Sequence, residues 1–592
     1  MTTPHPPSST PLDLLIIGAG IFGVCAANTY LTLHPSANIL ALDADSGPGG
    51  VWSRSRLYPG FNAQTGARLS GFPDVPFKVP DGEPMFHDLF EARHLSRYFE
   101  EYLAKKVGDD GRALGERFRF EVWVERAWNE GGMWKVTGKA KGVEGGEEPL
   151  DLCAKKLILA TGVYTVPFVP ELPGREQFAG PILHQKDFGK SKILTPDEPN
   201  IEKHSKITVL GGSKSAADIA YAAATDANHF REVTWIIRTS STGPLMMTHP
   251  KGFGKYQSLP EVGSTRGAAA ISSANPYVDD SWWSWFIHRT PVGEWLLDKL
   301  WSAAAGDATK LASFEGREGR LEGFEGLRSS TITRWRSGLQ GIISKDDWWD
   351  IIARRVKVVR GEIERLDKGE IVLEDGRTVE CDMLLAATGW QRGHTIFSSG
   401  EKARLGLPLD LDGEDELATK ESEYWRAMEQ AADEKVLKRW PYLANPPDFK
   451  RQPRTSTPYR LYNMIIPVQD QSVAFLGAPL LPNSYHASLA TTLWAIAVLD
   501  GIHQVPPELN MEEDVAFIAR WCAWRYPMDG WQGNRVEFEM VSYTDKLLAE
   551  LGLSSHRNKG SWWADLTDPC LASDYAGLVD EYREKYAVKG RS

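Results

Sequence analysis

The run Leu14-Leu15-Ile16-Ile17, followed at once by Gly18-Ala19-Gly20-Ile21-Phe22-Gly23, constrains this chain more than any other stretch. Four consecutive apolar residues ending in glycine read as a strand buried on both faces, as in a parallel sheet. A helix-compatible stretch follows from Ile21 to about Leu33, and Asn38 to Asp43 reads as a second strand. Strand, glycine turn, helix, strand is one βαβ unit. In such a unit Gly18 permits the tight turn, Gly20 lets the backbone approach a pyrophosphate, and Gly23 lets the helix lie close to the strand. The helix N-terminus then faces the phosphates. Asp43, twenty residues beyond Gly23 at a strand end, is placed for a ribose hydroxyl.

The plan recurs downstream. Lys206 to Leu210 reads as a strand, Ser215 to about Thr225 as a helix, and Val233 to Ile237 as the next strand. The turn between the first two, Gly211-Gly212-Ser213-Lys214-Ser215-Ala216, is a worn GxSxxA version of the same fingerprint. No acid ends the second strand. Arg238 stands there, followed by Thr239, Ser240 and Ser241. A guanidinium suits a 2′-phosphate, which a carboxylate would repel, so this half reads as a site for NADPH rather than NADH, with Lys214 adding charge. The plainer alternative is a solvated surface arginine. Each half also carries a hairpin, from Phe118 to Thr137 and from Ile371 to Val379 around Asp375-Gly376, and a strand ending in Ala-Thr-Gly, at 160–162 and 387–389.

The expected class is therefore α/β, with two Rossmann-like dinucleotide-binding domains, the second inserted in the first. The expected segments are residues 1–190 and 391–505 for the first domain, 191–390 for the second, and a mainly helical region from 506 to 592. A helical insertion rich in Gly, Ser and Trp spans about 245–335, and 410–455 reads as charged, then Pro-rich connector.

A chain of 592 residues is long enough for these pieces, and a formal net charge of -12 with no basic tract argues against nucleic acid. The five cysteines, Cys25, Cys153, Cys381, Cys522 and Cys570, form no CxxC pair, which argues against a zinc site or a redox dithiol and predicts no metal. The first residues, MTTPHPPSSTP, read as a short lead rather than a signal peptide, and no apolar run is long enough for a membrane span. Acidic charge and the lack of a targeting signal point to the cytosol.

One further stretch makes the reading specific. Phe178, Gly180, His184 and Phe188 resemble FxGxxxHxxx(Y/W), the signature of class B flavoprotein monooxygenases: the flavin-containing, N-hydroxylating and Baeyer–Villiger enzymes. It lies between the two nucleotide units, as in that family. Gly49-Gly50-Val51-Trp52 resembles the family's GGxW, Tyr58-Pro59-Gly60 its YPG turn, and Phe72-Pro73-Asp74 an FPD stretch. Gly477 to Gly501, with Trp494-Ala495, is similar to its closing helix against the flavin. The matches span roughly residues 13–502. The resemblance implies FAD in the first domain, held by Gly18, Gly20, Gly23, Asp43, Gly50 and Trp52. It implies NADPH in the second, held by Gly211, Ser213, Lys214, Ser215 and Arg238. It also implies transfer of one oxygen atom from O2 to a small organic substrate through a flavin C4a-(hydro)peroxide. A reductase or oxidase, or a protein keeping FAD only as a structural part, are the alternatives.

The chain departs from that pattern at two places. Phe188 replaces the closing Tyr or Trp. Gln64 stands where Baeyer–Villiger members carry Asp and flavin-containing monooxygenases often carry Asn. An amide only hydrogen-bonds, whereas a carboxylate also acts by charge, so Gln64 weighs against Baeyer–Villiger chemistry. Gln64 is expected near the flavin. His184 is expected at the hinge, either positioning the nicotinamide or serving structure. Asn483, with Tyr485 and His486, either lines the active site or caps the following helix. Trp282, Trp283, Trp285, Trp295 and Trp301 form a Trp-rich stretch with three readings: a helical pair buried against the second domain, an aromatic lid over substrate, or a surface resting on a membrane.

Overall fold

The computed structural model describes residues 11–142, 145–191, 205–225, 232–241, 243–278, 281–329, 333–335, 340–391, 393–411, 416–449, 454–557 and 560–587. The first five-stranded sheet is parallel, in the order Val473–Phe475, Leu157–Leu159, Leu14–Ile17, Ile39–Leu42, Phe118–Arg119. Side chains alternate across it. Leu14 and Ile16 share a core with the helices Ile21–Leu33 and Ser484–Leu499, while Leu15 and Ile17 face the other way. That second face is covered by an antiparallel three-stranded sheet, Val122–Glu130, Met133–Lys141 and Glu147–Ala154. Phe118, expected in the hairpin, instead pairs with Ala41 as the sheet edge, and the hairpin is a three-stranded meander.

The second sheet repeats the layering. Its order is Ile182–His184, Met383–Ala386, Lys206–Leu210, Glu232–Ile237, Val356–Arg360, again all parallel. Helices Lys214–Thr225 and Trp348–Arg355 cover one face. A small antiparallel sheet, Ile363–Asp367, Glu370–Leu373 and Thr378–Glu380, covers the other. The strand Ile182–His184 lies within the 1–190 segment, yet it is hydrogen-bonded into the second sheet, so the chain crosses between sheets before residue 182. The turn at 178–184 needs glycine at Gly180, where a Cβ would run into the Asp382 carbonyl.

Two segments differ from expectation. Within 410–455 lies a 24-residue helix, Glu416–Arg439. Its charged composition hides a narrow apolar stripe, Ala418, Trp425, Ala432 and Val436, which is buried. Arg460 is buried against it, its guanidinium 4.4 Å from the Trp425 ring and bonded to Glu421 and Glu429. The Trp-rich insertion is helical, Trp282–Arg289 and Pro291–Ala312, but its aromatic side is not buried. Trp282, Trp283 and Trp295 are each about 60% exposed, while Ser284, His288 and Leu297 face inward. Trp301 packs against a distant element, meeting Phe538 at 5.2 Å between centroids. Among the described residues no helix is long and apolar enough to cross a membrane.

Candidate active site between two nucleotide sheets

The first glycine turn forms a cradle that side chains would fill. Gly18 adopts φ +115°, and a Cβ there would strike the Ala160 carbonyl. A Cβ on Gly23 would strike the Gly18 carbonyl oxygen and lie 2.8 Å from its carbon. Gly20 is the N-cap of the helix Ile21–Leu33 and supplies no side-chain acceptor, so the helix presents its first amides to the turn. The Gly49-Gly50 segment closes over this cradle. The Gly49 amide donates to the Ala19 carbonyl (2.8 Å), and a Cβ on Gly50 would sit 3.2 Å from the Gly20 Cα. Asp43 accepts the Ala19 amide (2.6 Å) and the Asp45 amide (2.8 Å). Trp52 is half-buried and stacks on Phe61 at 5.6 Å. The tight glycine turn and the helix amides left without a capping side chain suit a pyrophosphate, which fits an FAD site.

The second turn is built alike. Gly211 adopts φ +136°, with its Cβ position blocked by the Ala387 carbonyl. The Trp235 indole donates to the Gly211 carbonyl (2.6 Å), tying the turn to the adjacent strand. Ser213 and Ser215 flank the helix start at Lys214. The Lys214 ammonium is paired with Asp218 one turn on, and both are largely buried. Arg238 is exposed just past the strand Glu232–Ile237. Its carbonyl accepts Arg360 Nη2 (3.1 Å) and the Ser241 hydroxyl (2.8 Å), so the backbone is fixed while the guanidinium is at the surface.

The sequence-derived catalytic candidates all lie at seams between parts. Gln64 accepts the Ile342 amide (3.3 Å), linking a first-domain loop to the short parallel ribbon Met246–Thr248/Gln340–Ile342. His184 is buried. Its Nε2 donates to the Gly389 carbonyl (2.7 Å), its Nδ1 accepts the Lys186 amide (3.2 Å), and its ring meets Trp390 edge-on at 4.9 Å. Burial pushes its pKa down despite the Gly389 bond, so it is neutral with the proton on Nε2. Asn483 caps the closing helix, its Oδ1 accepting the Tyr485 and His486 amides, while its Nδ2 donates to the Leu69 carbonyl (3.1 Å). Nearby, Arg56 bonds Asp45 and the Tyr164 carbonyl, and Lys186 donates to the Thr165 carbonyl, so the crossing between the sheets is polar and cationic.

Sequence reasoning missed two groups, because each is assembled from distant segments. Asp88, itself at φ +71°, lies beneath Gly66 and accepts the Arg68 amide (3.2 Å). Arg68 also meets the fully buried Glu261 at 3.0 Å. Burial pushes the Asp88 carboxyl up to about 6, the Arg68 amide opposing and the Glu261 charge adding to it. Above the unfolded value the folded state resists ionisation, so stability is lost as pH rises from about 4 to about 6 and stays lower beyond. Asp88→Asn keeps an acceptor and tolerates the left-handed backbone. Its stability relative to wild type is expected to rise by about 1–2 kcal/mol between about pH 4 and about pH 7, read from urea unfolding at both. An unchanged difference would refute the shift. The other missed group is Glu362, beside Arg238.

One histidine cluster has the spacing of a metal site. His87, His249 and Asp346 have ligand atoms within 4.8 Å of one another. However, His249 Nδ1 accepts the Lys251 amide (3.1 Å), which leaves the proton of the neutral ring on Nε2, as a donor rather than a ligand.

Comparison with known proteins places this geometry. Residues 16–75 match a family model for an NAD(P)-binding Rossmann-like domain, and residues 113–250 match that of L-lysine 6-monooxygenase/L-ornithine 5-monooxygenase. The FAD-dependent monooxygenase rstn6 of Aspergillus nomiae is 30% identical over 98% of this chain and 99% of its own. The chain belongs to the FAD-dependent monooxygenases. The FAD-dependent monooxygenase resA of Aspergillus sclerotiorum is 29% identical over 98% of this monooxygenase and 99% of its own length. Among solved structures, the polycyclic ketone monooxygenase of Thermothelomyces thermophila superposes with a TM-score of 0.57 at 15% identity, covering 99% of this chain and 90% of that one. A triple mutant of cyclohexanone monooxygenase from Rhodococcus sp. Phi1, solved with NADP+, gives 0.57 at 17%, covering 92% and 97%. These likenesses establish that the monooxygenase shares their fold.

Proposed function

We propose that this monooxygenase takes hydride from NADPH and places one oxygen atom from O2 into a small organic substrate. The observation that carries this reading is the pair of glycine turns, each at the carboxyl end of its own parallel sheet, where open α/β sheets bind ligands. FAD, when bound, supplies the hydride acceptor and the oxygen chemistry. Gly18, Gly20, Gly23 and Gly50 admit its pyrophosphate, Asp43 its ribose, and Trp52 covers it. The residues before the crossing at Ile182, together with 391–505, hold it, and the residues between hold NADPH through Gly211, Ser213, Ser215 and Arg238. The Lys214 ammonium is paired with Asp218, which offsets the charge expected of it there. Gln64, His184 and Asn483 are positioning residues. Gln64 accepts the Ile342 amide, His184 donates to the Gly389 carbonyl and Asn483 donates to the Leu69 carbonyl, each across a seam. His184 in particular holds the crossing strand to Gly389, with burial favouring its neutral ring.

The test is a turnover assay under 18O2 with a panel of small ketones, amines and thioethers. NADPH consumption matched by one 18O atom in product supports the reading. NADPH oxidation that yields only hydrogen peroxide across the panel favours an oxidase. No bleaching of the flavin by NADPH leaves FAD as a structural part.

The exposed aromatics support a finer reading of where a cytosolic form of this enzyme works, at a lipid surface. Trp282, Trp283 and Trp295 lie on one contiguous helical cap, and the Lys299 ammonium stands 5.9 Å over the Trp295 ring. Indoles with a nearby cation suit the headgroup level of a bilayer. Co-sedimentation with phosphatidylcholine vesicles that is lost in the Trp282→Ser/Trp283→Ser/Trp295→Ser variant is expected, and wild type that stays in the supernatant would refute it.

A further inference from the structure

Strands Glu232–Ile237 and Val356–Arg360 are neighbours in register, with Ile237 opposite Arg360. Their carboxyl ends therefore bring residue 238 and residue 362 together. Arg238, Thr239 and Ser240 are the donors that a 2′-phosphate would need. Two of them are already taken. The Glu362 carboxylate accepts the Ser240 amide at 2.6 Å and the Thr239 hydroxyl at 3.0 Å, both on the same oxygen. Glu362 is half-buried and lies in the field of Arg238. Partial burial opposes its ionisation, but the Ser240 and Thr239 donors and the Arg238 charge outweigh it and hold the carboxyl below the ordinary range. It is an anion seated in an anion site.

We propose that Glu362 is a specificity-determining residue: a built-in anion that occupies the donors of the 2′-phosphate site and is exchanged for the phosphate when NADPH binds. This rests on the assignment of Arg238 under the proposed function. The physical consequence is a competition. The phosphate must displace a carboxylate from the Ser240 amide and Thr239 hydroxyl, and a like charge then remains within a few ångströms of it, so part of the gain from Arg238 is cancelled. A ligand without the 2′-phosphate leaves Glu362 in place and feels neither term. The residue thus narrows the gap between NADPH and NADH and keeps the empty loop in its binding shape.

The probes are 2′,5′-ADP, which carries the 2′-phosphate, and 5′-AMP, which does not. Binding of each to the FAD-loaded enzyme is measured by calorimetry in wild type, Glu362→Gln and Glu362→Ala. Removing the charge is expected to tighten 2′,5′-ADP roughly tenfold while 5′-AMP changes less than about twofold. The glutamine variant keeps the shape and an acceptor, so it separates charge from loop support, and the alanine variant checks that the effect does not need the amide. Tightening of 2′,5′-ADP in both variants, with flavin content unchanged, supports the proposal. Wild type that prefers 2′,5′-ADP while neither variant binds it more tightly would overturn the role of Glu362 alone. Weaker binding of both nucleotides would show a merely structural residue and overturn it too. No preference for 2′,5′-ADP in any of the three proteins would sink the Arg238 assignment along with it.

Discussion

Gly23→Ala leaves the enzyme without bound flavin. Gly23 sits in the first turn of the helix Ile21–Leu33, with an ordinary helical backbone, so the effect does not come from backbone strain. It comes from contact. An added Cβ would strike the Gly18 carbonyl oxygen, lie 2.8 Å from the Gly18 carbonyl carbon and 3.5 Å from the Ala160 Cβ. The first two are main-chain atoms of the turn itself and cannot rotate away. The helix must lift from the strand, carrying its first amides away from the pyrophosphate and opening the Gly20–Gly50 approach. Overpacking of this kind costs about 1–3 kcal/mol in stability, and the loss of cradle geometry adds to it, so flavin per chain is expected to fall by roughly tenfold or more. Absorbance of the purified protein reads this directly. Gly47→Ala, where nothing lies within 4 Å of the new Cβ, is the control and keeps its flavin. Full flavin content in Gly23→Ala would remove the first turn from the FAD site.

Arg238→Ala weakens NADPH and spares NADH. The side chain is exposed and its backbone carbonyl is held independently by Arg360 and Ser241, so truncation leaves the loop in place. A charge-assisted guanidinium–phosphate contact contributes about 2–3 kcal/mol, hence a rise in KM for NADPH of roughly 30- to 100-fold with kcat at saturation little altered. NADH has no 2′-phosphate and its kcat/KM is expected to stay within about twofold. Steady-state kinetics with both cofactors decides it. Equal losses for the two would mean a folding defect, and no loss would mean a solvated arginine.

Much of this fold is legible because its signals are local. An apolar tetrad, a glycine at each special turn position and an acid in register all lie within thirty residues, and Leu14–Ile17, Ile21–Leu33 and Ile39–Leu42 appear as read. The features that escaped are those for which the deciding partner is remote. Ser240 and Glu362 are 122 residues apart, and nothing at either position announces the other. The helix Glu416–Arg439 reads as solvated charge until Arg460 is seen between two of its glutamates. The tryptophans at 282–295 show the converse. Burial is one of three readings of their composition; a helical stripe can face either way, and small or polar residues, Ser284 and His288, took the inner side.

The strand order of the first sheet has a consequence for how the chain assembles. Leu157–Leu159 pairs with Val473–Phe475, about 300 residues later in sequence. Closing a loop of that length is entropically costly, but the cost grows only logarithmically with length, and it falls further once the intervening residues have condensed into a compact body that brings their ends together. Assembly is therefore ordered. The second sheet, whose strands lie between residues 182 and 386, can form before the first is complete. During synthesis the edge of Leu157–Leu159 stays unpaired until the ribosome has passed Phe475. That open edge is the point at which a stalled or truncated chain would misassemble, and flavin arriving earlier would find only part of its sheet.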